Sequence, residues 1–415
     1  MQLRSLPGAC AQLERLRTHW RLPDGMLGTL YRGQECLDAT PLVADLGDTA
    51  PFLAALGERE EALTLARAAC PHLRGGLFRR HERAYLFDNH DLVLGWLELY
   101  EQTGEAWLLE RSREALHAVQ DECEVAGRLV DWAGGKKHAW RSSSFNAGFI
   151  EVAVDLHRAT RDPTYLAWAQ RWAQHFVRAR SFQRHGLWSR FDTPRIELLG
   201  ALLGRLARRG PWRMFKDNTN CVWGLLALQL EAPESQIARA ITRFVAVVSA
   251  LFRRHGHVPQ FALRHPVFDL SANVFIVDLL ADIAHFTGDT AALALASSIA
   301  ASLEQRRWGN GLLPRGGGQA GDHLDIMTDY GVALYKLHAL GAGEHHRELA
   351  EQGWNATWQR HQSEHGLVLS VDGAGHVVDD RVFVKYQFLA TKALLVGAST
   401  NVYAEPRLWR LLRDR

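Results

Sequence analysis

Cysteine is scarce and unpatterned in this chain: five residues in 415 (Cys10, Cys36, Cys70, Cys123, Cys221), with no C-x-x-C pair. An odd, scattered set excludes a disulfide framework and a zinc knuckle, and points to reduced thiols in a cytoplasm. Charge of one sign is lacking as well. The formal net charge is +2, so no global field draws in nucleic acid or an anionic membrane. Lysine is rare, six of the 48 basic residues; a GC-rich coding sequence accounts for the arginine excess. The basic stretches Arg178 to Arg184 and Arg205 to Arg213 match no nucleic-acid module and read as solvated faces. No apolar run, Phe244 to Phe252 included, approaches the ~20 residues of a membrane span. The N-terminus carries Arg4 but no apolar core, so no secretion leader is expected.

Motifs of several large enzyme classes are missing too. There is no HExxH, GxSxG, P-loop or Rossmann glycine pattern, and Gly316-Gly317-Gly318 has no strand-to-helix context that would make it a phosphate cradle. No cofactor and no metal site is expected, although Asp322, His323 and Asp325 are close enough in sequence to be weighed as ligands.

What is present is a repeat. Seven turns in which Gly leads towards Leu or Val fall at Gly25, Gly76, Gly127, Gly186, Gly256, Gly311 and Gly366, 51 to 70 residues apart. That period holds two helices and their connections, and it means stacked supersecondary units. In each unit an outer helix leads through the Gly turn and an extended arm to an inner helix. Glu58 to Cys70 has a polar face, whereas Leu92 to Tyr100 is apolar nearly all round, as befits a helix packed on both sides. Turns at Thr103 to Glu105, Thr160 to Pro163 and Thr287 to Asp289 then lead outward. Gly104 and Gly288 suit the left-handed position that ends a helix, and Pro163 suits the first turn of the next.

Inner helices are expected to begin near Leu46, Asp88, Ser144, Asp217, Asp269, Asp325 and Asp380. Pro406 to Arg413 is left as a terminal helix. The predicted fold is all-α: one domain over residues 1–415, an (α/α) toroid of six or seven helical hairpins with short extended arms in the loops. A basic flap is inserted at about 191–215. Inner-to-outer turns are short and outer-to-inner connections long, so the long loops gather where the inner helices start. Function concentrates on such loops, and helix N-termini there present unpaired N–H groups.

The polar residues cluster at those starts. Asp88, Ser144, Asp217, Asp269 and Asp325 read first as N-caps. A cap needs one residue, however, while Asp91, Asn146, Asn220, Asn273, Asp329 and Lys385 lie about a turn further in on apolar helices, where polar groups need partners. A polar cavity follows. Acid/base work on a glycosidic bond needs two carboxylates at defined separation, and Asp88, Asp91, Asp217, Asp325 and Asp329 are the candidates. The histidines His90 and His323 are candidate bases near neutral pH. Asn146, Asn218, Asn220 and Asn273, with Lys385 and Tyr386, are expected to hold substrate hydroxyls. Trp140, Trp188 and Trp212 are expected in loops, as flat faces for sugar rings.

The segment Phe87-Asp88-Asn89-His90-Asp91-Leu92 through Tyr100-Glu101-Gln102-Thr103-Gly104-Glu105 resembles hairpins of the six-hairpin glycosidase-like superfamily, as does Phe286-Thr287-Gly288-Asp289. The likeness is to unsaturated glucuronyl hydrolases and acylglucosamine 2-epimerases. It implies a toroid acting on carbohydrate. By that resemblance Asp88 and Asp217 match the two aspartates of the hydrolases, whereas the epimerases rely on histidines and an arginine. Seven hairpins would point instead to class I α-mannosidases, whose carboxylate motifs the chain lacks. The expected activity is glycoside hydrolysis on an oligosaccharide or uronate-containing glycan. The alternatives are a sugar epimerase or isomerase using His90 or His323, and a non-catalytic toroid for binding or assembly.

Overall fold

The computed structural model describes residues 14–15, 18–133, 136–138, 144–188, 215–260, 267–398 and 402–403. The expected flap at about 191–215, apart from Phe215 at the start of a helix, and the expected terminal helix at 406–413 lie outside the described residues. The chain packs as two compact units. The first comprises Met1–Pro71, Glu101–Gly104 and Leu280–Asp414; the second comprises His72–Tyr100 and Glu105–Leu279.

In the second unit the predicted turns at Gly76 and Gly127 are tight hairpins, while Gly186 and Gly256 end helices at φ 65° and 68°. The helix Ala106–Ala118 unwinds through Val119–Cys123 into two-residue strands, Glu124–Val125 and Arg128–Leu129, paired Glu124 to Leu129 and Val125 to Arg128. Ala126 and Gly127 between them have φ of 51° and 80°. Positive φ at both loop positions is the type I′ geometry that matches the twist of a two-strand ribbon, and glycine adopts it without steric cost. The pair Leu73–Arg74 and Leu77–Phe78 repeats the arrangement, with Gly75 and Gly76 at 59° and 80°.

Inner helices then begin at Leu86, at Ser144 (one 3-10 turn leading into Gly148–Thr160), at Phe215 and at Leu270. Each lies within a few residues of its expected start. An inner-helix amide ties each turn down. Asn89 accepts from the Phe78 N–H at 2.8 Å and donates to its carbonyl at 3.0 Å. Asn218 does the same for Trp188 at 2.8 and 3.2 Å, and Asn273 for Val258 at 2.8 and 2.9 Å. An amide offers one acceptor and two donors, so it closes both backbone groups of one turn residue.

The outer helices are Pro163–Arg178 and Ser235–His255. Asp162 caps the former through Thr164 N at 2.8 Å with Pro163 in its first turn, and Gly256 ends the latter at φ 68°. Ser235–His255 and Leu270–Thr287 reach the length and apolarity of a membrane span. The first buries a single stripe, Ile237 to Val248, and ends in Arg253-Arg254-His255; the second is mostly buried inside the fold.

In the first unit a three-stranded sheet joins early and late chain: Val382–Phe383, Leu30–Arg32 and Glu35–Asp38, with Leu30 opposite Phe383 and Tyr31 opposite Val382. Trp354 and Trp358 of the helix Glu344–His361 pack with Phe52, Leu324, Val332 and Leu367. Burial of such side chains contributes about 1.5–3 kcal/mol each. Gly331 of the helix Leu324–Ala339 lets Trp354 close in, since a Cβ there would lie 2.0 Å from the indole nitrogen. A two-residue hairpin of another kind joins Gln362–Ser363 to Gly366–Leu367, with Gly366 in the strand and not in the loop, and Gln387 clamps Leu367 at 2.7 and 2.9 Å. Two lysines are buried with aspartates. Lys336 meets Asp282 at 2.9 Å, with the Tyr403 hydroxyl on the same carboxylate at 2.9 Å, and Lys392 meets Asp329 at 2.5 Å.

Candidate active site

The start of the helix Leu86–Thr103 is capped from outside. Asp131, on the strand Asp131–Ala133 that pairs with Arg83–Ala84, accepts the Leu86 N–H at 3.1 Å. Asp88, the third helical residue, is therefore not needed as a cap. It is buried, with Arg80 Nε 2.9 Å from its Oδ2 while the arginine itself is half exposed. Asp91 lies one turn on and is buried, its Oδ1 3.2 Å from His90 Nδ1. A carboxylate on Nδ1 holds the imidazole in one orientation and one tautomer. The ring is packed against Gly148, where a Cβ would come within 2.4 Å of Nε2, and edge-on to Phe149 at 6.0 Å. Phe87, next to Asp88, is 48% exposed.

The asparagines divide. Asn218 and Asn273 are engaged as turn clamps, and Asn146 donates to the Leu129 carbonyl at 3.3 Å. Their amides serve the backbone, and the sequence reading that gave them to substrate is corrected to that extent. Asn220 differs: it is buried, and its amide nitrogen has no hydrogen-bond partner among the described residues. Asp269 is an N-cap, accepting from Ala272 N at 2.9 Å and Ser271 Oγ at 2.5 Å.

Trp188 is not a loop platform. It is 2% exposed, stacked on Phe182 at 4.2 Å, with its N–H donated to the Phe176 carbonyl at 2.8 Å, so it has no face to offer a sugar. Trp140 and Trp212 lie outside the described residues. Asp217 falls in the helix Phe215–Glu231, but its side chain is outside those described.

The first unit has its own polar group at helix starts. Lys385 Nζ bridges Asp45 at 2.9 Å and Asp48 at 2.7 Å. Asp45 precedes and Asp48 ends the 3-10 turn Leu46–Asp48, ahead of the helix Ala50–Ala55. Beside Lys385, the Tyr386 ring meets His323 edge-on at 5.1 Å. Burial raises the Tyr386 phenol pKa, and the negative charge of Asp325 adds to it. Asp325 is the second residue of the helix Leu324–Ala339, where the helix dipole favours a carboxylate; its Oδ1 has no hydrogen-bond partner among the described residues. Asp329, a turn further in, is closed off by Lys392. Asp45, Asp48, Arg80, Arg315 and Lys392 were not singled out from sequence. Asp45 and Asp48 carried a usable signal, being acids at the first inner-helix start.

No family model matches the chain, and no curated protein matches it. Solved structures do. The chain is similar to the α-1,2-mannosidase from Trichoderma reesei, with a TM-score of 0.65 at 11% identity over 95% of this chain and 93% of that one. It is similar to a D-mannose isomerase, with a TM-score of 0.60 at 11% identity over 96% and 99%. The unsaturated glucuronyl hydrolase from Bacillus sp. GL1, responsible for the degradation of glycosaminoglycan, gives a TM-score of 0.54 at 13% identity over 85% and 95%. At such identities the shared property is the fold. The chain shares the all-α, (α/α)-toroid fold of these structures.

Proposed function

We propose that this chain is a carbohydrate-active enzyme that hydrolyses glycosidic bonds, with its chemistry at the start of the helix Leu86–Thr103. One observation carries the reading: two nearly buried carboxylates, Asp88 and Asp91, lie one helical turn apart, each held by a basic group (Arg80 and His90). Residues three apart on a helix are neighbours. Hydrolysis needs one carboxyl group to protonate the departing oxygen and a second to activate water or attack the sugar carbon. Arg80 compensates the charge on Asp88, which suits it to base or nucleophile. Asp91, buried a turn further from the positive end of the helix, is the acid. Asp217 is the further candidate for the second carboxylate, and Asn220 for holding a hydroxyl.

A second reading has its own observation. The His90–Asp91 pair is an oriented general base, and an imidazole of that kind moves a proton at a carbon beside a carbonyl, as an epimerase or isomerase requires. The likeness to a D-mannose isomerase supports it.

The test is a screen of the purified protein against a glycan panel, scoring reducing-end release and epimer formation together. Hydrolysis lost by about 10²-fold or more in Asp88→Asn or Asp91→Asn supports the first reading. Epimer formation lost in His90→Gln but kept in Asp88→Asn selects the second.

A further inference from the structure

We propose that the face of the second unit formed by the helices Pro163–Arg178, Arg180–His185 and Ser235–His255 docks on an anionic lipid bilayer. The inference is independent of the reaction proposed above. It starts from where acids are missing. The chain has 46 Asp and Glu in 415 residues, yet none falls between Pro163 and Trp188 or between Ser235 and Phe268. Those stretches carry Arg178, Arg180, Arg184, Arg239, Arg253 and Arg254. All six are exposed, and none makes a hydrogen bond or ion pair among the described residues. By contrast, Arg111 meets Glu114 at 2.8 Å, Arg113 meets Glu110 at 3.1 Å and Arg171 meets Glu124 at 2.6 Å. The short helix is seated on the long one. Arg243 donates to the Gln183 carbonyl at 2.7 Å and lies over the Phe182 ring at 5.6 Å, and a Cβ on Gly186 would come 2.6 Å from Val247. Arg184 is two residues before that contact, and Arg253 and Arg254 lie about two helical turns beyond Val247. Arg178, Arg253 and Arg254 also suit the negative ends of their helices, which explains each of them singly but not the lack of every acid.

Between the arginines this surface is apolar. The helix Ser235–His255 is long and apolar enough to cross a membrane, yet only 33% of its most apolar window is buried. Ala246 and Ala250 are exposed, and Val247, Leu251 and Phe252 are half-buried. Arginine beside small apolar side chains matches the headgroup–acyl boundary, where guanidinium groups meet lipid phosphates and aliphatic surface leaves water. A nucleic acid would use the arginines but gain nothing from the apolar surface between them. Trp172, Phe182 and Trp188 are buried and offer no face to a base. The net charge of +2 conceals the patch. Salt confines attraction to about 8 Å, so only the face turned to the bilayer counts.

Binding is read by co-sedimentation of the full chain with vesicles of phosphatidylcholine, alone or mixed with phosphatidylserine, at physiological ionic strength. Only the mixed vesicles are expected to carry the protein down. Arg253→Ala with Arg254→Ala should weaken partitioning about tenfold or more, at roughly fivefold per arginine near an anionic surface. The melting temperature should be unchanged, since neither side chain bonds to another described residue. Arg111→Ala with Arg347→Ala lowers the net charge equally at arginines paired with Glu114 and Glu344, and should leave partitioning unaltered. Ala250→Trp adds a ring that favours the membrane interface; it should strengthen vesicle binding and leave binding of duplex DNA as it was. The proposal is overturned if the phosphatidylserine vesicles are not bound, or if the Arg111/Arg347 variant loses as much as the Arg253/Arg254 variant. It is also overturned if folded Ala250→Trp gains nothing, or if duplex DNA is held more tightly than the vesicles at the same salt. Each of these failures would leave the hydrolase reading untouched.

Discussion

The two units use polar residues at helix starts in opposite ways. In the second unit asparagine does architectural work: Asn89, Asn218 and Asn273 each close the two backbone groups of a Gly-turn residue. Its charged candidates form local pairs, Asp88 with Arg80 and His90 with Asp91. In the first unit the clamp is Gln387, and charge is joined over long sequence separations: Lys385 with Asp45, Lys336 with Asp282, Lys392 with Asp329. A polar residue at a helix start is thus no evidence of a binding site until its partners are known. What marks a site is a polar group left open, as at Asp325 and Asn220.

The contrast breaks most sharply at the buried lysines. Lys336→Ala removes the cation bonded to the buried Asp282 carboxylate and should cost about 3–5 kcal/mol in chemical denaturation. Lys336→Met combined with Asp282→Leu should recover much of that loss, because the second change removes the orphaned charge. Next comes the clamp. Asn273→Ala removes bonds to Val258 N, Val258 O and Asp269 O and should cost about 2–3 kcal/mol. Asn220→Ala removes none among the described residues and should cost less than about 1 kcal/mol. Equal losses at the two positions would erase the distinction between engaged and open amides.

The repeat itself was legible. Gly at the second position of a type I′ loop is forced by positive φ, and the change from one-faced to all-round apolar helices marks outer against inner, so inner starts were placed within a few residues. Gly104 and Gly288, at φ 72° and 70°, end helices as expected. The use of each polar residue was not legible, because partners are set by packing. Asn218 beside Asn220, or Asp325 beside Asp329, look alike in sequence. Lys385 and Asp45 are 340 positions apart. Trp188 was misplaced for a related reason: two residues after a Gly turn it reads as loop, yet the chain turns back at Gly186, stacks the ring on Phe182 of the short helix Arg180–His185 and bonds its N–H to Phe176 of the outer helix.

Smaller effects sharpen the picture. Gly148→Ala would set a methyl 2.4 Å from His90 Nε2. It should cost about 1–3 kcal/mol and lower turnover beyond what the stability loss explains, since the imidazole must move. His346 of the first unit is buried with neither ring nitrogen hydrogen-bonded among the described residues. Its pKa is lowered to about 4, chiefly by burial and next by His345. The folded state therefore holds this ring neutral while the unfolded chain takes up a proton below about 6.5. Stability contributed by the site is complete above that pH and falls as the pH drops towards 4. His346→Phe should flatten the melting-temperature profile between pH 4 and 6.5 and leave it nearly unchanged at pH 8. A profile of unaltered slope would remove His346 from the account.

The most direct test of catalysis at the start of the Leu86–Thr103 helix is proton NMR of glycan incubations in D2O. New reducing-end anomeric signals, with no deuterium entering the sugar carbons and no signals from Asp88→Asn, are the predicted result. Spectra that stay unchanged across the panel with folded wild-type protein, or hydrolysis that survives intact in Asp88→Asn and Asp91→Asn, would contradict it.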